Sequence, residues 1–443
     1  MPLKYNTNYR ELIVGAETKI PLSDGRLVTS INFDNAATTP PFSSVLQSVV
    51  NFSPWYSSIH RGTGYKSQYS SELYENSRNA VKSFVKADPG NTVIYVKNTS
   101  EAINKLSYRL YHRNKHSVIL STNMEHHSND LPWRSNYDVD YIKVDESGRL
   151  SLNDLERKLH KYKKKVALVT VTGASNVTGY KNPIYDIAEL VHDYDARLMV
   201  DAAQLVGHSP VDMRPDGDRS HIDYMAFSAH KMYAPFGTGV LIGPEYDFER
   251  GEPEYKGGGT IDIVTHDLIR WAEPPHKDEA GTPNLMGVIA LSEAIKCLEA
   301  IGMANLEAYE LSLAEYALAG LAKVPGIQLY CDNEMRDRVG IIPFNIDGLH
   351  HQIVASALSA ESGIAVRNGC FCSQPYVQKL MSIPRNEIRK RIKHPKLPRP
   401  GMVRLSFGLY NTYDEIDILV SKLYEISCNR EFYLQRYGDN LQQ

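Results

Sequence analysis

Only five cysteines occur in the 443 residues, and two of them fall in Cys370-Phe371-Cys372. An odd, sparse set is no disulfide framework. It points to an intracellular, cytoplasmic protein with free thiols, at least one of them a candidate for reactivity. No run of 18 or more apolar residues exists, so no membrane-spanning helix is expected. The first ten residues are polar and have no apolar core, so no secretory signal is expected. Neither charge sign dominates: 49 Lys and Arg against 52 Asp and Glu leave a net charge of -3. That balance disfavours a chain whose work is gripping nucleic-acid phosphates. No internal repeat is evident. The pair His126-His127 and the pair Cys370-x-Cys372 have no companion ligands at zinc spacing, so no metal is expected. What is present is ordinary for a globular chain, 42% hydrophobic and 23% charged, long enough for about two or three domains.

Short apolar runs alternate with helical stretches. Thr92–Val96, Ser117–Leu120, Val166–Thr172, Arg197–Val200, Tyr224–Phe227 and Gly239–Gly243 read as strands apolar on both faces, hence buried and mostly parallel. Between them, Pro183–Tyr194 carries Ile184, Ile187, Ala188 and Val191 on one helical stripe. The alternation predicts an α/β domain over residues 31–285, preceded by an N-terminal segment, 1–30, that packs on another element. Residues 286–443 read as a smaller C-terminal α+β domain. It opens with one long helix from Met286 to Leu321, followed by strands at Ile327–Tyr330, Val339–Ile346 and before Arg367. Helices at Leu349–Leu358 and Ile416–Ser427 complete it. Between Arg385 and Pro400 lie seven Lys or Arg and three prolines. This is either a solvated surface insertion or a docking arm for an acidic partner.

The chemistry-bearing residues gather at predicted strand ends, where parallel α/β sheets bind ligands. Ser228-Ala229-His230-Lys231 follows one strand. A lysine there can join an aldehyde cofactor when burial lowers its pKa, whereas a lone loop lysine is more often merely solvated. Asp201 ends another strand, and a buried carboxylate needs a cationic partner such as a protonated pyridine nitrogen, unless it only caps the next helix. Thr99 and Ser100 open a helix, as phosphate ligands or as a plain capping box with Thr or Ser at the N-cap. His126 is placed to stack on a flat ring, or is simply packed. Asn176, at a fifth strand end, is a candidate hydrogen-bond donor.

Asp34-Asn35-Ala36-Ala37-Thr38-Thr39-Pro40, Glu125-His126-His127, Val200-Asp201-Ala202-Ala203-Gln204, Ser228-Ala229-His230-Lys231 and Ala280-Gly281-Thr282-Pro283-Asn284 follow one another in the chain. In this order they resemble the class V aminotransferase family of fold-type I enzymes dependent on pyridoxal 5'-phosphate (PLP). More narrowly they resemble cysteine desulfurases of the SufS type and selenocysteine lyases, from about Asn32 to Val420. The resemblance implies a PLP-dependent transferase fold, with Lys231 carrying PLP and moving protons. It implies Asp201 at the ring nitrogen, Gln204 at the phenolic oxygen, and His126 stacked on the ring. Thr99, Ser100, Ser228 and His230 fall at the phosphate, and Thr282 reaches the phosphate of a partner subunit, hence a homodimer. Arg367-Asn368-Gly369-Cys370-Phe371-Cys372 fits the loop Arg-x-Gly-x-x-Cys, which makes Cys372 the nucleophile. Arg404, with Asn176 and Arg367, would hold the substrate carboxylate. Gly-Cys-Phe-Cys also resembles molybdenum-cofactor sulfurases. The implied activity converts L-cysteine to L-alanine and leaves a persulfide on Cys372 for a sulfur-acceptor protein. The alternatives are another class V enzyme (a selenocysteine or carbon–sulfur lyase, an aminotransferase, an epimerase) or a catalytically silent sulfur-transfer partner of the same fold.

Overall fold

The computed structural model describes residues 9–113, 117–332 and 334–438. The first eight residues of the expected N-terminal segment and the last five of the chain lie outside these. The chain opens with a small hairpin, β1 (Lys19–Pro21) and β2 (Leu27–Thr29), and a short strand β3 (Ile31–Asn32). The helices α1 (Ser43–Phe52) and α2 (Tyr65–Val85) follow.

The centre is a seven-stranded sheet. Its strands are β4 (Asn91–Val96), β5 (Val118–Thr122), β6 (Asp138–Ile142), β7 (Val166–Thr172), β8 (Arg197–Asp201), β9 (Tyr224–Ser228) and β10 (Gly239–Pro244). Their spatial order is β4-β10-β9-β8-β7-β5-β6, and only β10 runs against its neighbours. The other six therefore end on one edge. Alternate residues part to opposite faces, as the two-residue strand period requires. Val93, Val169, Val200, Met225 and Ile242 join one core. Ile94, Leu168, Met199, Ala226 and Leu241 join another, with Trp133. Burial of both faces is the reason these strands read as continuous apolar runs. β6 is different. Its Asp138, Val139, Asp140 and Tyr141 are exposed or half-exposed on the sheet edge, so it carries no such run and escapes sequence reading.

Between the strands lie α3 (Thr99–Arg113), α4 (Leu131–Arg134), α5 (Leu152–Tyr162), α6 (Ile184–His192) and α7 (Glu245–Glu249). The four apolar residues of the expected stripe on α6 are all buried. A protruding hairpin, β11 (Ile261–Val264) with β12 (Ile269–Trp271), leaves the body after α7.

The long helix expected over 286–321 is two helices, α8 (Leu285–Ile301) and α9 (Met303–Leu321). Gly302 between them has φ 86°, a left-handed conformation that stops the first helix at little steric cost. Beyond lies a four-stranded antiparallel sheet, built from β13 (Ile327–Leu329), β14 (Ile341–Ile346), β16 (Arg367–Gly369) and β17 (Met402–Ser406). Its order is β13-β14-β17-β16. The short β15 (Ile364–Ala365) leaves this sheet and pairs with β3, tying the start of the chain to the C-terminal half. The helices α10 (His351–Ser362), α11 (Gln374–Leu380), α12 (Arg385–Lys393), α13 (Tyr413–Cys428) and α14 (Arg430–Tyr437) complete the chain. Phe344, Val403, Leu405, Leu358 and Leu419 form this part's own core. Among the described residues no helix is long and apolar enough to cross a membrane.

Candidate active site

The carboxyl ends of β4, β7, β8 and β9 meet the loop after β16 around a cavity of about 500 Å³. Twelve of the thirteen residues expected from the sequence line it: Thr99, Ser100, His126, Asn176, Asp201, Gln204, Ser228, His230, Lys231, Arg367, Cys372 and Arg404. Thr282 does not. It lies exposed in the segment before α8, away from this chain's cavity.

One end of the cavity is a cluster of hydroxyls. The helix α3 is capped by Asn98, whose Oδ1 accepts from Glu101 N at 3.0 Å. Glu101 reaches back to the N–H of Lys97 at 2.9 Å. The expected cap by Thr99 or Ser100 is thus displaced by one residue, which leaves those hydroxyls for the cavity. Thr99 N donates to Ser228 Oγ at 2.8 Å, and the two hydroxyls lie 2.7 Å apart. His230 joins them, pushed down to about 4 by burial and then by the Lys231 charge.

The floor carries the acceptors. Asp201 is 4% exposed, and its Oδ1 takes a hydrogen bond from Ala203 N at 3.0 Å. Burial pushes its pKa up, opposed by that bond and by Lys231. Gln204 spends its amide N–H₂ on Ala36 O, so its buried Oε1 has no partner among the described residues. Lys231 sits in the tight turn after β9, pushed down to about 8 by burial, against the raising charges of Asp201 and Cys372. His126 stays neutral, pushed down to about 3 by burial and by Lys231. Its Nδ1 accepts from Ser128 N at 3.1 Å, which fixes the ring and leaves the proton on Nε2.

The other wall is the cysteine loop. Phe371 and Cys372 have φ 51° and 54°, left-handed values that each cost a side-chain-bearing residue about 1–2 kcal/mol. Hydrogen bonds hold the loop there. Asn176 Nδ2 donates to Phe371 O at 2.6 Å, and His127 N donates to Cys372 O at 2.7 Å. Ser373 Oγ donates to Glu125 O at 2.6 Å. The result aims an exposed Cys372 thiol at the cavity. Cys370, by contrast, is half-buried. Its Sγ donates to Pro400 O at 3.1 Å, and burial pushes its pKa up.

Arg404 is buried on β17. Burial brings it down to about 10 in spite of Asp34. Its Nη2 meets Asp34 Oδ1 at 3.1 Å, and its Nη1 donates to Asn176 O at 2.8 Å. The Arg367 Nε takes the other Asp34 oxygen at 3.1 Å. One carboxylate therefore holds both guanidinium groups at the mouth. Asn176 is less available than the sequence implies, because one of its two side-chain N–H donors is committed to the cysteine loop.

Sequence reasoning missed Glu125 and Asp34 as individual actors, although both lie in the quoted motifs. Glu125 is buried and pushed up to about 8, opposed by donors from Thr122, Thr172 and Asn129. Two His–carboxylate groups among the described residues have ligand atoms within 4.8 Å, His60-Glu75-His276 and His192-His221-Asp223. Neither lines the cavity. Arg78 already engages Glu75 at 3.0 Å, and His192 and His221 each turn a ring nitrogen to Asp223, at 2.9 and 3.6 Å.

The buried carboxylate of Asp201, the unpartnered Oε1 of Gln204, the hydroxyl cluster and the softened lysine amine fit PLP, which brings a ring N–H, a hydroxyl, a phosphate and an aldehyde. The profile of the family "Aminotransferase class-V" matches residues 31–419. A probable cysteine desulfurase of Halalkalibacterium halodurans is 34% identical over 401 residues, covering 89% of this chain and 92% of that protein. A cysteine desulfurase of Haloferax volcanii is 34% identical over 402 residues, covering 89% and 88%. Among solved structures, the apo cysteine desulfurase of Thermococcus onnurineus superposes with a TM-score of 0.81 at 32% identity, covering 93% of this chain and 97% of that one. The S-sulfonic acid form of an Escherichia coli cysteine desulfurase gives 0.78 at 28% identity, covering 94% and 97%.

Proposed function

Because the chain belongs to the class V aminotransferase family, we propose that it is a PLP-dependent cysteine desulfurase working as a homodimer. The carrying observation is that Lys231 and the exposed thiol of Cys372 line one cavity, with Arg404 in the same wall. Lys231 would hold the cofactor covalently, with Asp201 on the ring nitrogen, Gln204 on the hydroxyl and His126 on the ring face. Thr99, Ser100, Ser228 and His230 would take the phosphate, completed by Thr282 of a second copy. When bound, the cofactor acts as an electron sink that makes the substrate Cα–H acidic.

The chain's own residues do the rest. Arg404 and Arg367, released in part from Asp34, bind the carboxylate of L-cysteine. Lys231, softened by burial, takes the proton from Cα and returns it to the carbon skeleton. The thiolate of Cys372 attacks the substrate sulfur. An S–S bond forms as the C–S bond breaks, the C–S electron pair stays with the carbon, and alanine leaves. A persulfide remains on Cys372 for transfer to an acceptor protein. Cys370 is the poorer nucleophile, since its thiol is tied to a backbone carbonyl and its ionisation is opposed by burial.

The test is incubation of the PLP-loaded protein with L-cysteine, measuring alanine and protein-bound persulfide together. Equal amounts in the first turnover are expected, with the extra sulfur located on Cys372. Alanine without persulfide would instead favour a lyase, and a keto acid product an aminotransferase.

A further inference from the structure

Resting on the desulfurase reading, we propose that the segment from Arg385 to Pro400 is a docking arm for an acidic sulfur-acceptor protein, seated beside the thiol loop. Three observations carry it. The first is charge. The segment holds seven Lys or Arg against one carboxylate, Glu387, in a chain whose net charge is -3. Among the described residues only Arg391 of the seven has an ion pair, with Glu387 at 2.7 Å. The second is packing. The nine-residue helix α12 has no buried residue, and its Ile392 is 75% exposed. A helix this short is marginal in water without a packed face, and neighbouring like charges weaken it further. A partner with carboxylates and a small apolar contact would supply both missing terms.

The third observation is position. The arm returns to the body at the cysteine loop. Cys370 Sγ donates to Pro400 O at 3.1 Å. Gly401 lies so close to Gly369 that a Cβ at 401 would stand 2.6 Å from the Gly369 Cα. His351 Nε2 bonds to Arg399 O at 3.1 Å, and Arg391 Nε donates to Pro398 O at 3.0 Å, so this end of the arm is tied down. A protein gripped by α12 is thereby held close to the loop that carries Cys372. Transfer then needs nothing but an acceptor thiolate. It attacks the outer persulfide sulfur, a new S–S bond forms, the old one breaks, and Cys372 leaves as thiolate. Attraction over this range speeds encounter and fades with salt.

The experiment uses the full, PLP-loaded chain and two fluorescent thiol peptides, a hexaglutamate and a hexaglutamine, each extended by a C-terminal Gly-Cys. The comparison is with the triple variant Arg389→Gln, Lys390→Gln, Lys393→Gln, none of which lines the cavity. Fluorescence anisotropy at about 50 mM salt should show the acidic peptide binding about tenfold more tightly than the neutral one, a preference abolished by the variant or by about 500 mM salt. Persulfide transfer to the acidic peptide should slow in parallel, while alanine release with dithiothreitol stays unchanged. Equal binding of the two peptides, or a preference the variant retains, overturns the proposal. So does tighter arm-dependent binding of a hexathymidine oligonucleotide, which would make the partner a nucleic acid. Absence of alanine under every condition would overturn the desulfurase reading instead, with anisotropy still deciding the docking.

Discussion

The lysine that defines this cavity is chemically different from a surface lysine. Burial brings Lys231 to about 8, so roughly a tenth of it is neutral and nucleophilic at pH 7, far more than for an ordinary lysine with a pKa of about 10.4. Uptake of PLP by the apoprotein should therefore rise with pH through about 8 and then level. A rate still climbing toward the ordinary lysine value of about 10.4 would contradict that environment. Lys231→Ala should leave no covalently attached cofactor after borohydride reduction, by mass spectrometry, and no measurable turnover. The two loop thiols should separate as cleanly. Cys372→Ser should retain the cofactor and lose persulfide formation, while Cys370→Ser, whose hydroxyl can still donate to Pro400 O, should keep most of the rate. A persulfide found on Cys370 would reverse the assignment.

At the level of elements, the site is a junction between the central sheet and the loop after β16. Glu125 is its pin. One carboxylate oxygen accepts from Thr122 Oγ1 at 2.6 Å and Thr172 N at 2.9 Å, and the other from Asn129 Nδ2 at 2.6 Å. Its own carbonyl receives Ser373 Oγ from the cysteine loop. Glu125→Gln keeps the shape but turns an amide N–H₂ toward the Asn129 donor, whose Oδ1 is already taken by Trp133 and Thr170. A loss of about 1–3 kcal/mol in urea unfolding is expected. Persulfide formation should change little, since Ser373 Oγ bonds to the backbone carbonyl of residue 125, which the substitution keeps. An unchanged unfolding midpoint would show that the bonds at Glu125 are not a source of stability.

At the level of the molecule, one exposed surface stands out. The β11–β12 hairpin presents Ile263, Val264, Leu268 and Ile269, each close to or above half exposed. An exposed apolar hairpin is the kind of surface a second chain would cover, and in the homodimer proposed above it is the expected interface. Its two sides are joined at the base by Ala272 N donating to Thr260 O at 3.0 Å, and the segment leading into it is tied to the Thr282 loop by Gly281 N donating to Gly258 O at 2.8 Å. Hairpin and Thr282 thus form one face. The double variant Leu268→Asp, Ile269→Asp should run as a monomer in light scattering and hold PLP more weakly in dialysis. A variant that remains dimeric would place the interface elsewhere.

What is local and periodic in this protein is legible in its amino-acid order. Strands buried on both faces announce themselves as apolar runs, as Val166–Thr172 does. The chemical residues at their ends are legible because a parallel sheet sends those ends to one edge. Where burial is one-sided or absent the signal fades, as in β6 and α12, and one glycine sufficed to divide an apparent long helix at position 302. Which partner each polar group keeps is settled by the packing of the folded chain. It gave the α3 cap to Asn98, committed Asn176 to the cysteine loop, set Asp34 between two arginines, and left the thiol of Cys372 exposed while tying that of Cys370 to Pro400. Those choices join residues separated by up to several hundred positions. A one-dimensional pattern holds no record of them, because hydrogen bonds and burial depend on distance in space.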